Sequence, residues 1–231
     1  MTQAHPIDPP LKRATGLRLW LPNAITGLRL LLSLVFFIQL ARWACPPGWV
    51  GGPHPHIAHL WLASLSFALA AGTDALDGFL ARRWAAVTRF GRIMDPFADK
   101  ILIVGAFVML AGPQFASPPD ISGQSVQVTG VQSWMVVVIL GRELLVTSIR
   151  AVLEAEGSDF SASLTGKLKM IVQSLAVPAA LIIPASIPVD QGSTGRLLVD
   201  ASAWVTTLIT VISGVPYVLR GLAAFSSKNN P

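Results

Sequence analysis

Asp74-Ala-Leu-Asp77-Gly78-Phe-Leu-Ala81-Arg82, eight further residues, and Gly91-Arg-Ile-Met-Asp95-Pro-Phe-Ala-Asp99 set four carboxylates at the ends of two long apolar runs. An acidic side chain at membrane depth costs about 2.5–3.5 kcal/mol on insertion scales, so such residues read as functional. Four together repel one another unless cations bind between them. Clustered hard oxygen donors suit Mg²⁺ or Mn²⁺. The pattern points to a metal-dependent membrane enzyme acting on a phosphate ester.

Helical geometry supports this. At roughly 100° per residue, Asp74 and Asp77 lie about one turn apart on one helical face. Asp95 and Asp99 repeat that spacing on the next helix. Two such helices packed antiparallel can turn all four carboxylates into one space. Gly78 and Gly91 lack a Cβ, which lets a backbone or ligand approach closely. Arg82, where the helix emerges toward the headgroups, offers a planar fork of donors to phosphate. The competing account is a set of solvated helix-terminal acids, or carboxylates paired with Arg and Lys.

Composition sets the class. The chain has 231 residues, 52% hydrophobic and 13% charged, against about 25% charged in a soluble domain. Mean hydropathy is +0.60. An all-α polytopic membrane protein follows, with spans of about 20 apolar residues each. The net charge of +5 is read as affinity for anionic lipids and phosphates, with no nucleic-acid partner. The single cysteine, Cys45, excludes an intrachain disulfide. The first ten residues lack an apolar signal region, so the first spanning helix is expected to direct insertion.

Six spans are expected, over about 23–43, 57–81, 93–111, 133–153, 167–184 and 197–219. Residues 1–20 form a tail, disordered over 1–14, with an interfacial helix over 15–20. Residues 21–222 form the membrane domain and 223–231 a C-terminal tail. Pro22 is placed to open the first span, and Pro96 fits the first turn of the third. Asn23, Thr26 and Arg29 recur every three residues as one polar stripe, or else cap and snorkel near a helix end. His54 and His56 fall in a Pro/Gly loop and read as solvated. Residues 112–132 form a Pro-, Gly-, Ser- and Gln-rich loop without Lys or Arg.

Loop charge gives an orientation. Lys12, Arg13 and Arg18, then Arg82, Arg83, Arg89 and Arg92, then Lys167 and Lys169, and finally Lys228 fall on alternate connections. The intervening loops carry Arg196 alone. The positive-inside rule then puts both termini and the acidic motif on the cytoplasmic side of the cell membrane.

The spacing Asp-x2-Asp-Gly-x2-Ala-Arg-x8-Gly-x3-Asp-x3-Asp resembles the signature of the CDP-alcohol phosphatidyltransferases. Asp74, Asp77, Gly78, Ala81, Arg82, Gly91, Asp95 and Asp99 match it at every position. The resemblance implies attack of an alcohol on the phosphatidyl phosphorus of CDP-diacylglycerol, with CMP leaving. It assigns Asp74, Asp77, Asp95 and Asp99 to Mg²⁺ or Mn²⁺, in a two-metal site. Asp99 corresponds to the general base and also stands near the metal; sequence alone does not separate the two roles. Asp77, Gly78, Ala81, Arg82 and Gly91, with Asn23 and Thr26, would bind CDP-diacylglycerol. A homodimer is also expected from the resemblance.

Within this family, Leu21-Pro22-Asn23 with Thr26 and Arg29, Gly141-Arg142-Glu143-Leu144, Arg150, and Gly166-Lys167-Leu168-Lys169 followed by Gln173 resemble the phosphatidylglycerophosphate synthases. Arg29, Arg142, Arg150, Lys167 and Lys169 would then surround the phosphate of glycerol 3-phosphate. The alternative is inner-leaflet anchoring plus a Glu143–Arg150 pair. Met170 departs from the pattern, which has a small hydroxyl residue there. Inositol phosphate, serine or phosphatidylglycerol are the rival acceptors. A divalent-cation transporter is the rival of another class.

Overall fold

The computed structural model describes the backbone of residues 17–47, 49–54, 57–84, 89–117, 125–155 and 164–228. Within these, the side chains at 17–23, 75, 77–84, 89–93, 164 and 224–228 are not described. Among the described residues six α-helices follow in order: α1 (Leu17–Arg42), α2 (Ala58–Trp84), α3 (Arg89–Leu110), α4 (Ser133–Ala155), α5 (Leu164–Ser186) and α6 (Thr194–Lys228). Among the described residues the extended pairings are two isolated bridges, Gly51 with Pro188 and Ala116 with Gln127. The protein is an all-α membrane protein. Among the described residues, three segments are long and apolar enough to span a bilayer: Ala24–Arg42, Thr165–Ser186 and Thr194–Ala223.

The six expected segments are all helical, but their ends differ. Among the described residues helix α1 is continuous from Leu17 through Pro22, so residues 17–20 belong to α1 and Pro22 does not open it. Helix α3 starts at Arg89, which puts Pro96 well inside it and not in its first turn. Prolines also lie inside α5 and α6. An internal proline removes one backbone bond, a loss neighbouring helices make tolerable in a membrane bundle. Helix α6 continues to Lys228, past the expected start of a C-terminal tail. The expected disordered segment 1–14 and His56 lie outside the described residues.

Helix α1 packs along α2 and against α3; α2 also packs on α5, and α4 and α5 both pack on α6. The contacts use small residues at the crossings: Ala63, Ala70, Ala106, Ala180 and Ala203 are buried, letting backbones approach. Phe36 of α1 packs on Phe67 of α2 with ring centroids 5.3 Å apart. Leu31, Leu65, Val137, Leu175, Leu197 and Ile212 are exposed. In a bilayer such outward apolar faces meet lipid.

The end of the bundle away from the acidic motif is closed by its loops. Trp43 and Trp49 pack edge to face at 5.5 Å, and Phe115 stacks on Trp43. His54, expected in solvent, packs on Trp49 at 6.4 Å. The 112–132 loop is ordered where described. It carries a short 3-10 turn over Pro113–Phe115. Thr129 Oγ1 donates to the Leu110 carbonyl at 2.8 Å, and Gln127 Nε2 to the same carbonyl at 2.7 Å. These bonds satisfy a carbonyl that the end of α3 would otherwise leave orphaned. Arg196 Nη1 donates to the Gln127 carbonyl at 2.9 Å, fastening the loop to α6. Gly130 has φ +72°, left-handed backbone that glycine adopts without a steric penalty.

Candidate active site

The polar stripe of α1 meets both halves of the acidic motif. Thr26, Arg29 and Ser33 are spaced to share one helical face, and all three are buried. Arg29 Nη1 pairs with Asp74 Oδ1 on α2 at 2.8 Å. Thr26 Oγ1 donates to Asp95 Oδ1 on α3 at 2.8 Å. Ser33 Oγ returns its proton to the Arg29 carbonyl at 2.8 Å. Thr26 is therefore no helix cap and Arg29 no snorkelling anchor, since its side chain is 0% exposed. A buried guanidinium against a carboxylate is among the stronger polar contacts a protein makes.

A second cluster adjoins the first. Asp99, Lys100, Glu143, Lys169, Met170 and Gln173 line a small cavity between α3, α4 and α5. Asp99 lies in the combined field of Asp74 and Glu143 on one side and Lys169 and Arg29 on the other. Lys169 Nζ donates to Glu143 Oε1. Arg142 Nη1 reaches the same oxygen at 3.2 Å. Glu143 thus pairs with Lys169 and Arg142, not with Arg150. Arg150 instead meets Glu154 at 3.6 Å, one turn along α4. The seven-residue spacing placed Glu143 and Arg150 on one face, but the nearer partner for Glu143 came from another helix.

The cations expected to hold an acceptor phosphate are dispersed. Lys169 lines the cavity with Asp99, and Arg29 is tied to Asp74. Arg142 also points toward α6: its Nη2 donates to the Ser213 carbonyl at 3.3 Å, and its guanidinium lies 5.8 Å from the Tyr217 ring centroid. Lys167 is exposed on the first turns of α5. Asp77, Gly78, Ala81 and Arg82 are helical residues of α2, Gly91 of α3 and Asn23 of α1, but their side chains lie outside those described.

Two site residues went unweighed as site residues at the sequence level. Lys100 directly follows Asp99, and its Nζ donates to Thr147 Oγ1 of α4 at 2.6 Å. A lysine at membrane depth next to a motif acid was the available signal. Gln173 is buried, and its Nε2 donates to Thr210 Oγ1 of α6 at 3.0 Å.

Among the described residues no three acidic, histidine or cysteine side chains form a ready metal-binding group; Asp77 is outside that set. The donor chemistry nonetheless fits a hard divalent cation. Arg29 and Thr26 each engage one oxygen of their carboxylate, and the motif acids offer oxygen only.

Beside the polar cluster lies an apolar groove of about 500 Å³, lined by Phe37, Phe97, Ile101, Val108, Leu140 and Leu144, with Lys100 and Glu143 at its polar edge. Phe97, Val108 and Leu144 are exposed, so the groove opens sideways toward the bilayer. Its walls suit hydrocarbon, and its edge suits a charged headgroup.

The chain is similar in sequence to several curated proteins. The chain is 34% identical over 213 residues to the CDP-diacylglycerol–glycerol-3-phosphate 3-phosphatidyltransferase of Bacillus subtilis (strain 168), covering 90% of this chain and 98% of the relative. It is 36% identical over 202 residues, covering 87% of this chain and 81% of the relative, to a Mycobacterium tuberculosis (strain CDC 1551 / Oshkosh) protein named "Probable phosphatidylglycerophosphate synthase". A CDP-diacylglycerol–glycerol-3-phosphate 3-phosphatidyltransferase of Cereibacter sphaeroides is 32% identical over 164 residues, 68% of this chain and 61% of the relative. The family model described as CDP-alcohol phosphatidyltransferase matches residues 19–215, which include both halves of the acidic motif and every helix that contributes to the cluster; the chain belongs to the CDP-alcohol phosphatidyltransferase family.

Proposed function

We propose that this protein transfers the phosphatidyl group of CDP-diacylglycerol to glycerol 3-phosphate, releasing CMP and forming phosphatidylglycerophosphate. The observation that carries this reading is the α1 stripe, in which Arg29 and Thr26 hold Asp74 and Asp95 from two different helices. The relatives named for this reaction support the choice of acceptor.

In this mechanism the acceptor hydroxyl oxygen bonds to the phosphatidyl phosphorus, and the bond from phosphorus to the CMP oxygen breaks. Asp99 takes the hydroxyl proton, and CMP departs with the electrons of the broken bond. Lys169, already beside Asp99 and Glu143, turns its remaining donors to the acceptor phosphate, with Lys167 at the entrance. Arg29 and Thr26 keep Asp74 and Asp95 from rotating away. Gly78, Ala81, Arg82 and Gly91 would cradle the CDP group, and the apolar groove would take an acyl chain. Asp74, Asp77, Asp95 and Asp99 would hold Mg²⁺ or Mn²⁺, which when bound supplies charge neutralisation for the pyrophosphate. The loop charges favour six spans with the site facing the cytoplasm, and the family resemblance is what suggests a homodimer.

The test is CMP release by purified protein with CDP-diacylglycerol and Mg²⁺. Glycerol 3-phosphate, inositol phosphate, serine and phosphatidylglycerol are supplied separately, and Asp99→Asn is the control. Release that depends on glycerol 3-phosphate and is lost in the control is expected. Release with another acceptor moves the substrate within the family. No release from folded protein with any acceptor, together with metal uptake into proteoliposomes, overturns the reading in favour of transport.

A further inference from the structure

Gln173 is 1% exposed, and its amide has one side committed. Thr210 Oγ1 gives its single proton to the Thr206 carbonyl at 2.7 Å. Toward Gln173 it can therefore only accept, and it does so from Nε2 at 3.0 Å. That fixes the amide's orientation. The Gln173 Oε1 atom is buried and has no hydrogen-bond partner among the described residues. Leaving such an oxygen unmet is costly. Gln173 also lines the cavity shared by Asp99, Lys100, Glu143 and Lys169. The space there is about 10 Å³, room for one water or one hydroxyl group.

We propose that Gln173 is a specificity-determining residue whose Oε1 accepts a hydrogen bond from a second hydroxyl of the alcohol acceptor, the one adjacent to the hydroxyl that attacks phosphorus. The proposal rests on the acceptor-binding reading above. A carbonyl oxygen held by Thr210 reads a vicinal diol, because only a donor satisfies it. An acceptor with one hydroxyl leaves it unpaired, and a site built that way rejects the deficient analogue.

The experiment compares kcat/KM for glycerol 3-phosphate and 3-hydroxypropyl phosphate, which lacks the middle hydroxyl. Wild-type protein is expected to favour glycerol 3-phosphate about 10–100-fold, the effect of one unsatisfied buried acceptor. In Gln173→Leu that ratio is expected to fall to within about threefold of unity, chiefly by loss with glycerol 3-phosphate. Thr210→Val, which frees the amide to turn, is expected to give an intermediate ratio and serves if Gln173→Leu fails to insert. An unchanged ratio in the variants overturns the proposal and assigns the cavity to a structural water. No preference in wild-type protein that is active on glycerol 3-phosphate overturns it too. Inactivity of wild-type protein with both compounds is a failure of the acceptor reading itself.

Discussion

Arg29 shows how far a single side chain reaches in this site. It is buried, and it pairs with a motif acid more than forty positions away in the chain. Arg29→Met is expected to lower CMP release at least about tenfold, equivalent to about 1.4 kcal/mol of barrier. Arg29→Lys, which keeps charge but loses the planar fork, should fall between the two in the same assay. The Glu143–Lys169 pair calls for a different measurement. Lys169→Met leaves the nearly buried Glu143 carboxylate with Arg142 as its described partner and should destabilise the protein by about 1–3 kcal/mol. Glu143→Met with Lys169→Met should recover much of that stability in detergent-titrated unfolding, yet stay inactive. Recovery of activity as well would remove Lys169 from the acceptor site. At this scale the sequence showed which residues carry chemistry, since acids and bases at membrane depth stand out. It does not show who pairs with whom: the spacing puts Arg150 on the same face of α4 as Glu143, the pairing of the alternative reading, while Lys169 from α5 is the partner Glu143 meets.

Among the elements, the helices were legible because each is a long apolar run, and their ends were not. Pro22 and Pro96 look like start signals when read locally, yet α1 and α3 begin upstream of them. Packing against neighbouring helices outweighs the local cost of a proline. The loops at the far end were the least legible, because their order comes from contacts with α3 and α6 and not from any internal pattern. Gly130→Ala tests that order. An added Cβ would lie 2.8 Å from the Val199 backbone, and left-handed backbone costs a non-glycine residue about 1–2 kcal/mol. Thermal unfolding should shift downward while KM for glycerol 3-phosphate stays unchanged. Cys45, in the first far-end loop, offers a second check. Burial pushes its thiol pKa up, so less thiolate exists at neutral pH than for a free cysteine. Alkylation should be slower than for an exposed thiol at pH 7 and should speed up as pH rises past the ordinary thiol value.

For the molecule as a whole, the orientation in the membrane is the testable property. In a Cys45→Ser background, an impermeant maleimide should label Asp190→Cys in intact cells and Lys228→Cys only after permeabilisation. Labelling of both in intact cells would contradict cytoplasmic termini. The all-α membrane class was readable from composition and hydropathy alone; the closing of α1 over α2 and α3 was not, because the signature begins only at Asp74. That closing bears on how the chain is made. Helix α1 leaves the ribosome before α2, so Arg29 meets the bilayer before Asp74 has emerged to pair with it. An unpaired guanidinium there is expensive, so α1 has reason to linger at the insertion machinery until α2 arrives. The first two helices should then enter the lipid together as a hairpin, and the contact that braces the finished catalyst also sets the order of its biogenesis.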